Sequence, residues 1–142
     1  MATIKEYFQA AEREKATDIY FSVGAPPFLK INGGLRPLKA HPDLSKRKIE
    51  GLARQLLSPK KLSEYGSRRE VTSARTIAGL GRLRIVISDG RGGPCMVCRL
   101  IPTNIPEFDT LGLPSILPDW VSTGTGLILV MGRAGSGKTT TL

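Results

Sequence analysis

Residues 132 to 139 read GRAGSGKT, and no other stretch of this 142-residue chain constrains its fold so tightly. The spacing G-x-x-x-x-G-K-[ST] is that of a phosphate-binding loop. Gly132, Gly135 and Gly137 let the backbone N–H groups around Ser136 curl about an anion, Lys138 reaches the terminal phosphates, and the Thr139 hydroxyl is placed to ligate Mg²⁺. Such a loop needs a strand before it and a helix after it. The aliphatic run from Leu127 to Met131 is expected to be a parallel strand buried on both faces, and Thr140 to Leu142 to be the start of a helix. The amide of Thr140 then joins the anion-binding helix N-terminus. ATP and Mg²⁺ are the ligands expected.

Phosphoryl transfer at such a loop also needs an acidic residue on a second strand and a group that orients the attacking water, both downstream of the loop. The sequence stops before either, so no catalytic residue can be assigned. The chain reads as one whole domain followed by the truncated start of a second, and by itself it is expected to be inactive as an ATPase.

The formal net charge of +9 invites a nucleic-acid reading. The charges are scattered, however. Lys46-Arg47-Lys48, Lys60-Lys61 and Arg68-Arg69 fall at expected helix ends and turns, and aromatic residues make up only 6% of the chain, so no nucleic-acid partner is expected. No apolar stretch approaches the roughly 20 residues of a membrane span, and a cytoplasmic location is expected, peripheral to the inner membrane at most. Cys95 and Cys98 have metal-ligand spacing, but on a strand residues three apart point to opposite faces, so they read as two reduced cysteines.

Along the chain, Thr3 and Glu6 form a capping box ahead of Ile4, Tyr7, Phe8 and Ala11, which predicts a helix to about Lys15. Strands are expected over 18–23, 28–31 and 35–38, the last two joined by a tight turn at Asn32-Gly33. Ile49, Leu52, Ala53, Leu56 and Leu57 mark an amphipathic helix. Ser58-Pro59 predicts a second helix start, running to Gly66. Strands over 70–77, 81–88 and 95–101 follow. The fold class is α+β, with an antiparallel sheet and helices over residues 1–101. Two prolines between Ile101 and Glu107 predict a linker over 102–113, and the second domain opens at Pro114 with a helix to Ser122.

The stretches Ala16 to Pro27, Arg82 to Arg84, Cys98 to Pro102, Leu111 to Leu113 and Gly126 to Leu142 together resemble the twitching-motility, PilT-like branch of the secretion and pilus ATPases. The resemblance runs in matching order over nearly the whole chain. It implies a PAS-like N-terminal domain joined by a flexible linker to a RecA-like ATPase domain, in a homo-hexameric motor that powers type IV pilus retraction. Its partners would be the pilus or secretion machinery at the inner face of the membrane. Arg133 stands where the family commonly has proline, and Thr139 where serine is more usual; neither blocks a loop that works through backbone N–H groups. A secretion or conjugation ATPase, and a stand-alone PAS-like interaction module, are the alternatives. The isolated chain is expected to be a monomer or dimer.

One further site follows from strand counting. If Ser88 pairs with Cys95 across a hairpin, Arg84 falls opposite Arg99, and two like charges so placed are unfavourable unless they await an anion. The resemblance implies that such arginines reach nucleotide phosphates, so Arg84 and Arg99, with Arg82 or Arg91 beside them, are read as nucleotide sensors. A one-residue slip would separate the pair, leaving two solvent-exposed arginines. Asp18, Gly24 and Pro27 are read as structural.

Overall fold

The structure, a computed structural model, describes residues 3–78, 81–102, 106–133 and 136–142. Gly135 of the expected loop and residues 103–105 of the expected linker lie outside them. The chain divides into two compact units, Met1–Thr103 and Asn104–Leu142.

The described residues of the first unit form a six-stranded antiparallel sheet carrying three helices. Helix α1 (Ile4–Arg13) begins where the Glu6 carboxylate accepts from the Thr3 N–H at 3.3 Å and from its hydroxyl at 3.2 Å. Strand β1 (Asp18–Ser22) leads to β2 (Phe28–Ile31) and β3 (Gly34–Pro37). Asn32 at φ 49° and Gly33 at φ 82° supply the two left-handed residues that a two-residue hairpin turn requires. Helix α2 (Lys46–Leu56) starts at Ser45, whose hydroxyl oxygen accepts from the Lys48 N–H at 3.2 Å. At its other end the Leu56 carbonyl accepts from the Arg75 guanidinium at 3.2 Å.

Helix α3 (Pro59–Arg68) starts at the Ser58 cap as expected but runs two residues past Gly66. Its end is fixed by Arg69, a non-glycine residue held left-handed at φ 60°. That conformation is costly without glycine. It is compensated by an ion pair from Arg69 to Asp89 at 3.0 Å and a bond from the Asp89 N–H to the Arg69 carbonyl at 2.9 Å. The hydroxyl of Tyr65 donates to the same Asp89 carboxylate.

Strands β4 (Glu70–Ile77), β5 (Gly81–Gly90) and β6 (Gly93–Ile101) complete the sheet, whose order is β3-β2-β1-β6-β5-β4. The β5–β6 ladder is longer than expected, because Gly90 pairs with Gly93 and the turn shrinks to Arg91-Gly92. Alternation then sorts the side chains. Ile19, Phe21, Leu29, Leu83, Ile85, Ile87, Met96 and Cys98 point to one face and are buried against Tyr7, Phe8 and Ala11 of α1 and Ile49, Leu52 and Leu56 of α2. Each large apolar side chain so buried contributes about 1.5–3 kcal/mol. The alternate positions face away from the helices, and that face carries Arg82, Arg84 and Arg99.

In the second unit, a 3₁₀ turn (Phe108–Thr110) precedes α4 (Leu117–Ser122), which starts three residues later than expected. Pro114 instead caps a turn, its carbonyl accepting from the Leu117 N–H at 3.1 Å, and Pro118 occupies the first turn of the helix, where its missing N–H costs nothing. Residues 127–131 do not form the buried strand expected of them: Leu127 is 82% and Met131 84% exposed. A strand exists by pairing, and no other strand is present among the described residues of this unit. Helix α5 (Lys138–Thr141) follows the loop.

Candidate functional site

In the described part of the expected loop, the Ser136 N–H donates to the Arg133 carbonyl at 3.2 Å and Lys138 opens helix α5. Gly137 sits at φ 92°, a left-handed turn that glycine adopts without strain, and delivers the chain into α5. Its carbonyl then accepts the N–H groups of Thr140 at 2.9 Å and Thr141 at 3.0 Å, so the helix is hydrogen-bonded from its first turn. The Lys138 ammonium curls back over the loop and donates to the carbonyls of Gly132 at 2.9 Å and Arg133 at 2.7 Å. A cation is therefore already held above the backbone that would meet an anion. The Thr141 hydroxyl is spent on the Gly137 carbonyl, whereas the Thr139 hydroxyl is exposed and makes no hydrogen bond with a described residue. The chemistry of this donor set fits a Mg²⁺-bound triphosphate: backbone N–H groups, one ammonium and one free hydroxyl.

The second cluster lies on the first unit, on the sheet face away from the helices. Arg84 on β5 stands opposite Arg99 on β6, and Arg99 stands opposite Asp18 on β1, which stands opposite Lys30 on β2. One row across four strands thus reads Lys30, Asp18, Arg99, Arg84. Arg82, exposed two positions from Arg84, shares the face. The next row is apolar, with half-buried Phe28, Tyr20, Val97 and Val86.

The expectation that the arginine pair has only an incoming anion to relieve it needs correction. The Arg99 Nε donates to Asp18 Oδ1 at 2.8 Å, and the Thr17 hydroxyl donates to Asp18 Oδ2 at 2.8 Å. Asp18 is the one buried charged residue among those described, with its side chain 3% exposed, while the Arg99 side chain is 58% exposed. Hydrogen bonding to this carboxylate, followed by its charge, raises the already high pKa of Arg99. Sequence reasoning found Arg84 and Arg99 by counting pairs along one hairpin. It took Asp18 for a strand residue, because the β1–β6 pairing joins segments 81 positions apart. Arg84 makes no ion pair with a described residue. Arg91 sits in the exposed turn of the β5–β6 hairpin, outside the row.

Cys98 is buried in the core and Cys95 is half-buried on the opposite face. No group of three or more metal-ligating side chains occurs among the described residues. A hollow of about 370 Å³ along α2, lined by Ser45, Arg47, Lys48, Gly51, Leu52 and Gln55, contains none of the expected site residues. No helix of the described residues is long and apolar enough to cross a membrane.

No family model matches the chain. Among curated proteins it is 32% identical over 126 residues to the type IV pilus ATPase PilU of Pseudomonas aeruginosa, covering 89% of this chain and 33% of PilU. It is 27% identical over 139 residues to the type IV pilus retraction ATPase PilT of the same organism, covering 98% of this chain and 40% of PilT. The chain thus spans between a third and two fifths of the length of these relatives. Among solved structures, the pilus retraction motor PilT with bound ADP superimposes with a TM-score of 0.85 at 35% identity, over 99% of this chain and 41% of that one. The Legionella pneumophila ATPase DotB shares the fold, with a TM-score of 0.79 at 24% identity over 96% of this chain and 39% of that one. Over the part that it matches, the chain is homologous to the pilus retraction ATPases PilT and PilU.

Proposed function

We propose that the chain serves in an ATP-hydrolysing motor of the pilus-retraction kind, with residues 1–101 as a PAS-like domain, 102–113 as a linker and 114–142 as the beginning of a RecA-like ATPase domain. The observation that carries this reading is the phosphate loop lying inside the stretch matched to PilT, a protein solved with ADP. Gly132, Gly135 and Gly137 offer backbone N–H groups to the phosphates, Ser136 and Thr140 turn theirs from the Arg133 and Gly137 carbonyls toward the same anion, Lys138 leaves its two carbonyls for the terminal phosphates, and Thr139 ligates Mg²⁺. Arg84 and Arg99 read the phosphates when copies assemble into a hexameric ring. The ring works from the cytoplasmic side, at the inner face of the membrane, against the pilus machinery. The fold shared with DotB supports a secretion ATPase as the second reading.

Calorimetric titration of the chain with Mg-ATP, run beside Lys138→Ala, tests the loop. Saturable heat lost in the variant is expected. Equal signals from both proteins would reduce the loop to a glycine turn.

A further inference from the structure

Both oxygens of the Asp18 carboxylate are engaged, one by the Arg99 Nε and the other by the Thr17 hydroxyl, each at 2.8 Å. This carboxylate lies on the face that the helices leave open, yet it is buried while the arginine it binds is exposed. A guanidinium has five N–H donors in a rigid fork. Held through Nε it spends one, and its two terminal amino groups remain together at the outer end of a side chain that is 58% exposed. Arg84 flanks it directly across the β5–β6 ladder. Along the row the charges run positive, negative, positive, positive, so one carboxylate offsets part of the repulsion between the arginines and still leaves the row cationic.

We infer that Asp18 is a positioning residue: it locks Arg99 through Nε so that the free end of Arg99 and the side chain of Arg84 form a two-arginine cradle for a phosphate-class anion. The inference rests on the nucleotide reading of the two arginines and deepens it, since an arginine ordered in advance loses less freedom when its fork meets phosphate. A carboxylate serving only to neutralise the row would not care which nitrogen it met; this one takes Nε and leaves both amino groups without a hydrogen bond to a described residue.

The test is an NMR titration with sodium tripolyphosphate that follows the side-chain Nε–Hε signals of arginine, with Lys138→Ala as the background so that the phosphate loop does not contribute. In this background the Arg84 and Arg99 signals are expected to shift together and saturate. Arg84→Ala and Arg99→Ala should each weaken binding about tenfold or more; unchanged binding in both would overturn the reading of the arginines as an anion site. Asp18→Asn should weaken binding about tenfold when Arg99 is present, and less than twofold in an Arg99→Lys protein, which has no Nε to hold. Should Asp18→Asn leave the affinity within twofold while the arginine variants lose it, or weaken it equally in both backgrounds, the positioning role fails and the anion site stands. If Asp18→Asn does not fold, Thr17→Ala loosens the carboxylate instead: a loss of about threefold dependent on Arg99 is expected, and no loss contradicts the inference.

Discussion

Asp18 on β1 and Arg99 on β6 face each other directly across the sheet, and the buried carboxylate receives the Arg99 Nε at 2.8 Å. This contact joins the first strand of the sheet to the last, across 81 positions of sequence. Replacing Asp18 by Ala removes a charge-assisted bond and the acceptor of the Thr17 hydroxyl. Because Arg99 can return to water, the expected loss is about 1–2 kcal/mol. The midpoint of urea unfolding measures it, and a change under 0.3 kcal/mol would mean that the pair contributes specificity rather than stability.

The two helix starts make a cleaner pair of tests. Ser45 and Ser58 each accept a backbone N–H three residues on, so Ser45→Ala and Ser58→Ala should each cost about 1 kcal/mol. Pro59 already fixes the backbone after Ser58, so the loss there should be the smaller of the two. Thermal unfolding of both variants, compared with Ser63→Ala in the body of α3, checks the ranking.

Much of the first unit was legible in the sequence because its signals are local. Thr3 with Glu6, the stripe of Ile49, Leu52, Ala53 and Leu56, and Asn32-Gly33 each specify their element within a few residues. The end of α3 was not legible, since Arg69 takes a left-handed conformation only because Asp89, twenty positions away, holds it there. The partner of Asp18 was not legible for the same reason: it is set by the β1–β6 pairing, which no neighbouring residue announces. The run from Leu127 to Met131 misled in the opposite direction. Its composition suits a buried strand, but burial and pairing come from other strands, not from the run itself.

Alkaline solution should unfold the first unit through the buried Cys98 thiol and the half-buried Tyr65 hydroxyl. Burial pushes the Cys98 thiol up to about 12, and burial followed by the hydrogen bond to Asp89 raises Tyr65. The unfolded thiol ionises near 8.5. Between these values the folded chain holds a proton that the unfolded chain has lost. The stability is therefore fully present below pH 8.5 and declines as pH rises toward 12, by a few kcal/mol in all for the thiol. Denaturation curves at pH 8, 9.5 and 11 check the slope, and Cys98→Ala should flatten it. At pH 8 a maleimide should label Cys95 in the folded chain and both cysteines in urea.

Gly137 gives the loop its entry into α5 at φ 92°, where an alanine is strained by about 1–2 kcal/mol. Gly137→Ala should weaken Mg-ATP binding about tenfold without moving the unfolding midpoint of the sheet unit, which circular dichroism and titration measure separately.

The triphosphate site proposed at residues 132–140 is tested most directly by an amide NMR titration with Mg-ATP, which reports at the atoms concerned. Saturable shifts of the Gly132, Gly137, Lys138, Thr139 and Thr140 N–H signals that disappear in Lys138→Ala are expected. Shifts confined to other surfaces, or identical in the two proteins, would contradict it.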